Sequence, residues 1–565
     1  MSRPTSEGRG RRFAHLLAPL VLLCAPALYQ GIQTTRALSW PPDVDLYRDI
    51  AQAQTMTDGQ LLADPFYRDQ TIWYNPLVPF LVAGASRLTG LPVHTAYTRA
   101  GAYLNILAPL AFFFLVRGFF GPLAAAVATL DFLFIRDPGD PAWLSPSYSP
   151  WLYSSAFAQT LFYLTLRAYH AALASDERRW YLATGALLGL TFLAHTAPAL
   201  ILGIVIASGW RLRAAAPGTA WAPILRRHAL LLLVALATAA PFLWSILFRY
   251  HLRVRNPTPL TWFGAPLAGG GAGGILALGL SAETAVAFLG LVWLILKDER
   301  RLEAGLITRW AVAAGALLVY TLLGNPFFRA GTSLPPLLPP HHFIFSLKAL
   351  ESVLVGYAVS GLLLGMGRRF DLTASRVVSS GAALVASLAL GVGLAFPRYQ
   401  TREAFVMARR QAEKDDTRTT REEAREWIRS HTRPEDVFLA ADDLALLVVG
   451  SAGRKTVALD PYFSNPYVDW KRRREGRDTM VALLEEGRYL PFATLAREFG
   501  VTFVIRKKSD GVPLDGVSGL AREFGNARIT IYRLGTGSAA DLRPNIPGIV
   551  RGTSTPIVQN QLWDS

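Results

Sequence analysis

Apolar residues run through this chain in long, barely interrupted stretches as far as about Pro397, and in short periodic clusters beyond it. A helix needs roughly 17–25 apolar residues to cross a bilayer core. Stretches of that kind, several of them short, fall at Phe13–Tyr29, Ala96–Leu115, Pro122–Ile135, Leu152–Ala171, Tyr181–His195, Ala197–Gly209, Leu230–Leu247, Gly274–Leu296, Ala311–Leu323, Phe345–Leu364 and Val377–Phe396. They predict a polytopic α-helical membrane domain over residues 1–396 with about eleven transmembrane helices. Tyr181–Gly209 also reads as one long helix, and the count rests on its being a hairpin. The first run follows basic residues and no A-x-A-like cleavage site, so it is expected to stay as a signal-anchor.

After Phe396 the pattern changes. Thr420 and Glu423 have the capping-box spacing, which predicts a helix opening there and running through Trp427 and Ile428. Val437–Ala440 reads as a strand, and Leu444–Val449 and Thr456–Leu459 flank a hairpin-like turn at Gly450–Gly453. Helical stretches at Asp478–Glu486 and Ala493–Phe499 precede strands at Thr502–Ile505 and Ile529–Leu534. Such alternation predicts a soluble α/β domain over residues 397–540. Residues 541–565 are polar and rich in Pro and Gly, as in a flexible tail.

Composition supports the partition: 17% of the 565 residues are charged, against about 25% in soluble domains. The net charge of +16 does not indicate nucleic-acid binding, because the arginines pair at the ends of apolar runs (Arg178-Arg179, Arg226-Arg227, Arg368-Arg369). With a cytoplasmic N-terminus, every predicted inside loop is basic: Arg117; Arg178 and Arg179; Arg211 to Arg227; Lys297 to Arg309; Arg368 to Arg376. An odd number of spans then puts the C-terminal domain outside. Only Arg249–Arg255 breaks the rule. The Arg-over-Lys and Ala-rich usage suggests a GC-rich bacterial genome, hence the bacterial inner membrane. The single cysteine, Cys24, excludes an intrachain disulfide.

The first outside loop, roughly residues 31–95, is where chemistry concentrates. Asp43 and Asp45 are close enough to converge on one cation or one substrate hydroxyl, and Asp49 shares a helical face with Asp45. A carboxylate above a membrane can serve as general base or ligate Mg²⁺ or Mn²⁺. D-x-D is also short and common, and a solvated acidic loop reads the same way. Candidate cations for a phosphate are Arg136, Arg253, Arg255, Arg329, His341, His342 and Lys348, with His195 a lesser candidate. Arg253 and Arg255 are the most telling, since positive-inside bias disfavours them where they are; snorkelling to lipid headgroups is the bland alternative. Tyr462, Phe463, Tyr467 and Trp470 form an aromatic stretch suited to sugar stacking or to packing.

Asp43-Val44-Asp45 after the first span, Tyr74-Asn75-Pro76 where the chain re-enters the membrane, and Glu423–Ile428 with Thr432–Asp436 opening a distal soluble domain together resemble the GT-C superfamily of glycosyltransferases. The nearest branch is that of the protein O-mannosyltransferases, lipid A aminoarabinose transferases and bacterial relatives. The resemblance implies transfer of a sugar from a polyprenyl-phosphate donor, usually with inversion, to a glycan, lipid or protein hydroxyl. It implies Asp43 and Asp45 as catalytic or metal-binding residues. A polyprenyl-phosphate donor needs cations at the outer membrane face, for which Arg253, Arg255, His341, His342, Lys348 and His195 are the candidates, while Asp49, Tyr74, Tyr462 and Tyr467 are candidate acceptor or accessory residues. No W-W-D-x-G signature is present, which argues against an oligosaccharyltransferase catalytic subunit. A transporter or flippase and a non-catalytic assembly scaffold are the competing classes. A transporter should show inverted repeats, and none is evident.

Overall fold

A computed structural model of the chain describes residues 6–135, 147–214, 220–261, 281–297, 300–329, 336–369, 381–412, 418–510, 514–517 and 519–535. Each predicted span is largely helical where it is described, with a turn at Asn105 and Ile106 inside the second and a non-helical Leu152 and Tyr153 at the head of the fourth. The membrane body comprises α1 (Ser6–Thr35), α2 (Asp45–Thr57), α3 (Leu77–Thr89), α4 (Val93–Leu104), α5 (Leu107–Phe120) and α6 (Pro122–Leu130). It continues with α7 (Ser154–Ser175), α8 (Arg178–Ala194), α9 (Thr196–Ala214), α10 (Trp221–Trp244) and α11 (Ala282–Leu296). The last three are α12 (Arg301–Arg329), α13 (His341–Arg369) and α14 (Gly381–Tyr399). By length and composition, four stretches among the described residues can cross a bilayer: Val93–Phe120, Trp221–Arg249, Arg301–Leu323 and His341–Met366.

Tyr181–Gly209 is a hairpin. Its chain breaks at His195, whose backbone is extended, and α9 runs back beside α8. At the far end of α9, Arg213 pairs with Asp176 of the α7–α8 turn at 3.2 Å, and Arg227 at the start of α10 meets the same carboxylate at 3.2 Å. Glu303 of α12 meets His170 of α7 at 3.0 Å there too. The basic residues Arg178, Arg179, Arg213 and Arg227 therefore gather at one end of the bundle with the start of α12. Close helix packing depends on small residues, as is usual where no water drives association. A Cβ on Gly185 would lie 2.4 Å from the Leu231 carbonyl of α10, and one on Gly356 2.6 Å from that of Ala124 in α6.

The opposite end is capped by the C-terminal domain. Following α15 (Glu403–Ala412) and α16 (Arg418–His431), it folds around a five-stranded sheet in the order β2-β1-β3-β5-β4. The strands are β1 (Val437–Leu439), β2 (Lys455–Thr456), β3 (Val501–Lys507), β4 (Leu520–Gly525) and β5 (Ile529–Leu534), with α17 (Trp470–Glu485) and α18 (Tyr489–Glu498) between β2 and β3. The first three strands are parallel and the last two add antiparallel.

Three expectations need correction. Leu444–Val449 is a helical and π-turn segment, not a strand, and it continues as a 3₁₀ turn closed by Gly453 at φ +78°. Its apolar run is buried on all sides, and such runs do not distinguish a helix from a strand. Thr420 and Glu423 do not open α16, which starts two residues earlier; they hold the Asn526 side chain through the Thr420 carbonyl at 2.7 Å and the Glu423 carboxylate at 3.0 Å. β4 was absent from the sequence reading because its polar residues face solvent. The tail over 541–565 falls outside the described residues.

The domain does not stand apart from the first loop. One apolar core takes Trp40, Tyr47, Ile50 and Phe66 from the loop together with Ala424, Ile428, Leu446 and Val449 from the domain.

Candidate acid and histidine site

Asp43 precedes α2 and Asp45 begins it. The Asp43 Oδ1 accepts the Asp45 backbone N–H at 2.9 Å, which satisfies one of the helix's orphan donors. Its Oδ2 accepts the Tyr153 hydroxyl at 2.5 Å. Asp49, one turn along, is 2% exposed. It receives the Tyr97 hydroxyl at 3.1 Å, the Ser154 hydroxyl at 3.3 Å and Arg48 Nε at 2.8 Å. Asp49 is thus a fully engaged structural carboxylate. Asp45 differs from both: it is exposed, and no side-chain hydrogen bond engages its carboxylate among the described residues. Loss of surrounding water, then the neighbouring Asp43 charge, push it up to about 7; Arg48 opposes this and Asp49 adds to it.

Arg48 ties the acids to the membrane side. Burial works against its charge, but Asp49, Tyr74 and Asp45 outweigh that and hold it firmly protonated. The guanidinium lies 3.7 Å from the centre of the Tyr74 ring. Asn75 anchors this stretch by donating to the Phe192 carbonyl at 2.6 Å and to Thr196 at 3.1 Å, at the α8–α9 turn. Tyr74 therefore meets His195 edge-on, with ring centres 6.5 Å apart. His195 lies 4.4 Å from His342, which lies 4.0 Å from His341. The Ala197 N–H donates to His195 Nδ1 at 3.2 Å, so a neutral His195 carries its proton on Nε2. The His342 Nδ1 is buried without a hydrogen bond among the described residues. Asp43, Asp45, Asp49, Tyr74, His195, His341 and His342 thus form one chain of contacts.

Other candidates lie elsewhere. Lys348 is buried two turns beyond His341 on α13, about 10 Å along the axis. Tyr462 is exposed on the domain surface. Arg253, Arg255 and Tyr467 belong to a separate cleft of about 710 Å³ between the first loop, the segment after α10 and the C-terminal domain. The Arg255 and Asn256 N–H groups both donate to the Pro466 carbonyl, at 2.8 and 2.9 Å, and Tyr467 stacks on Tyr250 at 4.9 Å. Arg136 and the Arg329 side chain fall outside the described residues.

For a resident Mg²⁺ or Mn²⁺ the donor set is thin. Both Asp43 oxygens already accept hydrogen bonds, and among the described residues no third Asp, Glu, His or Cys joins Asp45. These residues do not fit a protein-held metal.

Sequence reasoning missed Arg48, Tyr97 and Tyr153. Arg48 stood between two candidate acids and was the one with a local signal. The tyrosines approach from distant helices. Also missed were the residues joining loop to domain. Buried Asp64 accepts the Phe66 and Tyr67 N–H groups at 2.7 and 3.0 Å and the Asn465 amide at 2.7 Å. Arg454 reaches Asp58 at 3.0 Å, and Trp40 donates to Glu422 at 2.8 Å.

No protein-family model matches the sequence, and no curated protein matches it significantly. The fold, by contrast, has clear counterparts among solved structures. An apo Archaeoglobus fulgidus oligosaccharyltransferase superposes with a TM-score of 0.52 at 13% identity, over 92% of this chain and 74% of the other. ArnT from Cupriavidus metallidurans bound to undecaprenyl phosphate gives 0.53 at 14% identity, over 91% and 97%. The mycobacterial arabinofuranosyltransferase AftD gives 0.51 at 14% identity, over 92% of this chain but 40% of its own. All three are GT-C superfamily glycosyltransferases. The chain is a helical membrane protein with their fold.

Proposed function

We propose that this GT-C-fold chain is a glycosyltransferase that moves a sugar from a polyprenyl-phosphate donor to a hydroxyl of an envelope glycan, lipid or protein. The observation that carries the reading is the acid pair: Asp43 is clamped by Tyr153, while beside it Asp45 is exposed, without a side-chain hydrogen bond among the described residues, and pushed up to about 7. A general base is most effective with a pKa near the working pH. A scaffold's acidic loop would have no need to hold its carboxylates in this way. The positive-inside rule puts the basic end of the bundle in the cytoplasm and the acid site on the outer face, in a bacterial inner membrane.

In the reaction, the Asp43–Asp45 pair takes the proton of the acceptor hydroxyl. The freed oxygen bonds to the anomeric carbon as the bond from that carbon to the donor phosphate oxygen breaks, and the phosphate leaves with the electron pair. Attack from the face opposite the phosphate inverts the centre. Arg48 is the cation at the acid pair, and the His195 Nε2 proton and the unengaged His342 nitrogen offer polar contacts to the departing phosphate.

The test is transfer or hydrolysis by purified protein offered a panel of polyprenyl-phosphate sugars. Turnover of one of them, lost in the Asp43→Asn/Asp45→Asn double variant, is expected. Binding without turnover, together with movement of the lipid from one leaflet to the other in reconstituted vesicles, would make the protein a flippase instead.

A further inference from the structure

The cleft that holds Arg253 and Arg255 has a chemistry of its own. Arg68 enters from the first loop, Arg249, Arg253 and Arg255 from the segment after α10, and Arg472, Arg473 and Arg497 from α17 and α18. Seven arginines thus converge on one concavity from three stretches of sequence, against three acids. Those acids are occupied: Glu498 pairs with Arg472 at 2.5 Å, Asp69 lies 3.7 Å from Arg68, and Asp469 caps α17 by accepting the Arg472 N–H at 3.1 Å. The exposed Arg253 and Arg255 side chains have no protein partner among the described residues.

The backbone is also committed to this arrangement. His251 and Leu252, neither a glycine, stand at φ +51° and +54° just before the two free arginines. Such conformations are costly and cluster where function fixes them. Like charges gathered in a concavity repel one another and attract a counter-charge. Tyr250 and Tyr467, stacked at an interplanar angle of 15°, give the same wall a flat surface against which a sugar ring can lie. The floor reaches Val437 of β1 and Thr456 of β2 in the domain's sheet, away from the bilayer. The cleft therefore suits a water-soluble ligand better than a polyprenyl chain.

From these features we infer that the cleft binds an acidic saccharide, one bearing several phosphate or carboxylate groups, and that this is the acceptor. Its role as acceptor rests on the transferase reading; its binding of the anion does not.

The experiment uses the full chain in neutral-lipid nanodiscs and a fluorescently labelled short oligogalacturonate, with a maltooligosaccharide of equal length as uncharged comparator and a phosphorylated mannooligosaccharide as second anion. Both anionic probes should bind at least tenfold more tightly than the comparator. The exposed pair Arg253→Gln/Arg255→Gln should lose at least tenfold in that affinity. An equal charge removal at the other end of the bundle, Arg178→Gln/Arg179→Gln, should change it less than twofold. Equal binding of neutral and acidic probes, or unchanged affinity in the Arg253/Arg255 variant, overturns the inference. So does binding of phosphatidylglycerol vesicles with no binding of either acidic probe, which would make the cleft a lipid-headgroup site. Because no turnover is measured, failure here leaves the transferase reading intact, and an inactive donor panel removes the acceptor role while leaving the binding of the acidic saccharide intact.

Discussion

Replacing Asp45 by asparagine keeps the size of the side chain and removes its charge and most of its basicity. In the transferase mechanism this should lower kcat by about 10²–10⁴, the usual contribution of general acid–base catalysis. The pH profile makes the test specific. A base must be ionised to work, so a carboxylate pushed up to about 7 is active above that pH and loses activity as pH falls through it. Between pH 7 and pH 5 the rate should drop about fiftyfold, approaching tenfold per unit below pH 6. A carboxylate at the ordinary value of about 3.9 would leave the profile nearly flat over the same range. Asp43 is the second cause of the elevation, so Asp43→Asn should move the acid limb to lower pH, besides any loss of rate. Transfer from a fluorescent polyprenyl-phosphate sugar in detergent, followed from pH 5 to pH 8.5, reads both effects. A wild-type profile flat down to pH 5, or an Asp45→Asn variant with the unmutated rate, would refute the reasoning. Stability supplies a check that needs no substrate. The raised folded-state pKa means that the folded protein holds this proton more tightly than the unfolded chain, so stability falls as pH rises from about 4 to 7 and stays lower above. Asp45→Asn removes that penalty, and its melting temperature at pH 8 should equal or exceed the parent's.

Two further predictions concern the joint between loop and domain. Asp64→Ala strands two buried backbone N–H groups and the Asn465 amide, each costing about 1–3 kcal/mol; a stability loss of about 3 kcal/mol or more should appear as a lowered melting temperature in detergent, and a change under 1 kcal/mol would count against the joint. Trp40 is stacked on His94 at 4.0 Å, with the Arg425 guanidinium 3.6 Å from its ring centre; Trp40→Ala should cost about 3–5 kcal/mol and open the loop to limited proteolysis, while Trp40→Phe, which loses the bond to Glu422 and part of the ring but keeps an aromatic face for stacking, should be cleaved much more slowly.

The membrane helices were legible because apolar length and flanking arginines are local signals, and the paired charges at Asp176 bear out the α8–α9 hairpin that span parity required. Asp43 and Asp45 were legible because two close acids in a loop are conspicuous. What could not be read was the company they keep. Tyr153 reaches Asp43 across 110 positions of chain, and Arg48 becomes meaningful only once the Asn75 anchor brings Tyr74 over it. Arg253 and Arg255 looked like partners of His342, because all are cations suited to phosphate; the fold separates them, since backbone bonds to Pro466 draw the arginines toward the C-terminal domain. The boundary at Phe396 marks a change in composition, and it conceals a core that both sides share.

That shared core sets an order on biogenesis. Trp40, Ile50 and Phe66 leave the ribosome several hundred residues ahead of Ala424, Ile428 and Val449, the side chains they pack against. Until the C-terminal domain has been made and carried to the same side of the membrane, the first loop lacks its apolar lining and the Asp64 cap lacks Asn465. A stalled or truncated chain can therefore insert its helices and still hold its carboxylates in an unfinished loop. The loop that carries the acid pair is finished only with the last part of the fold.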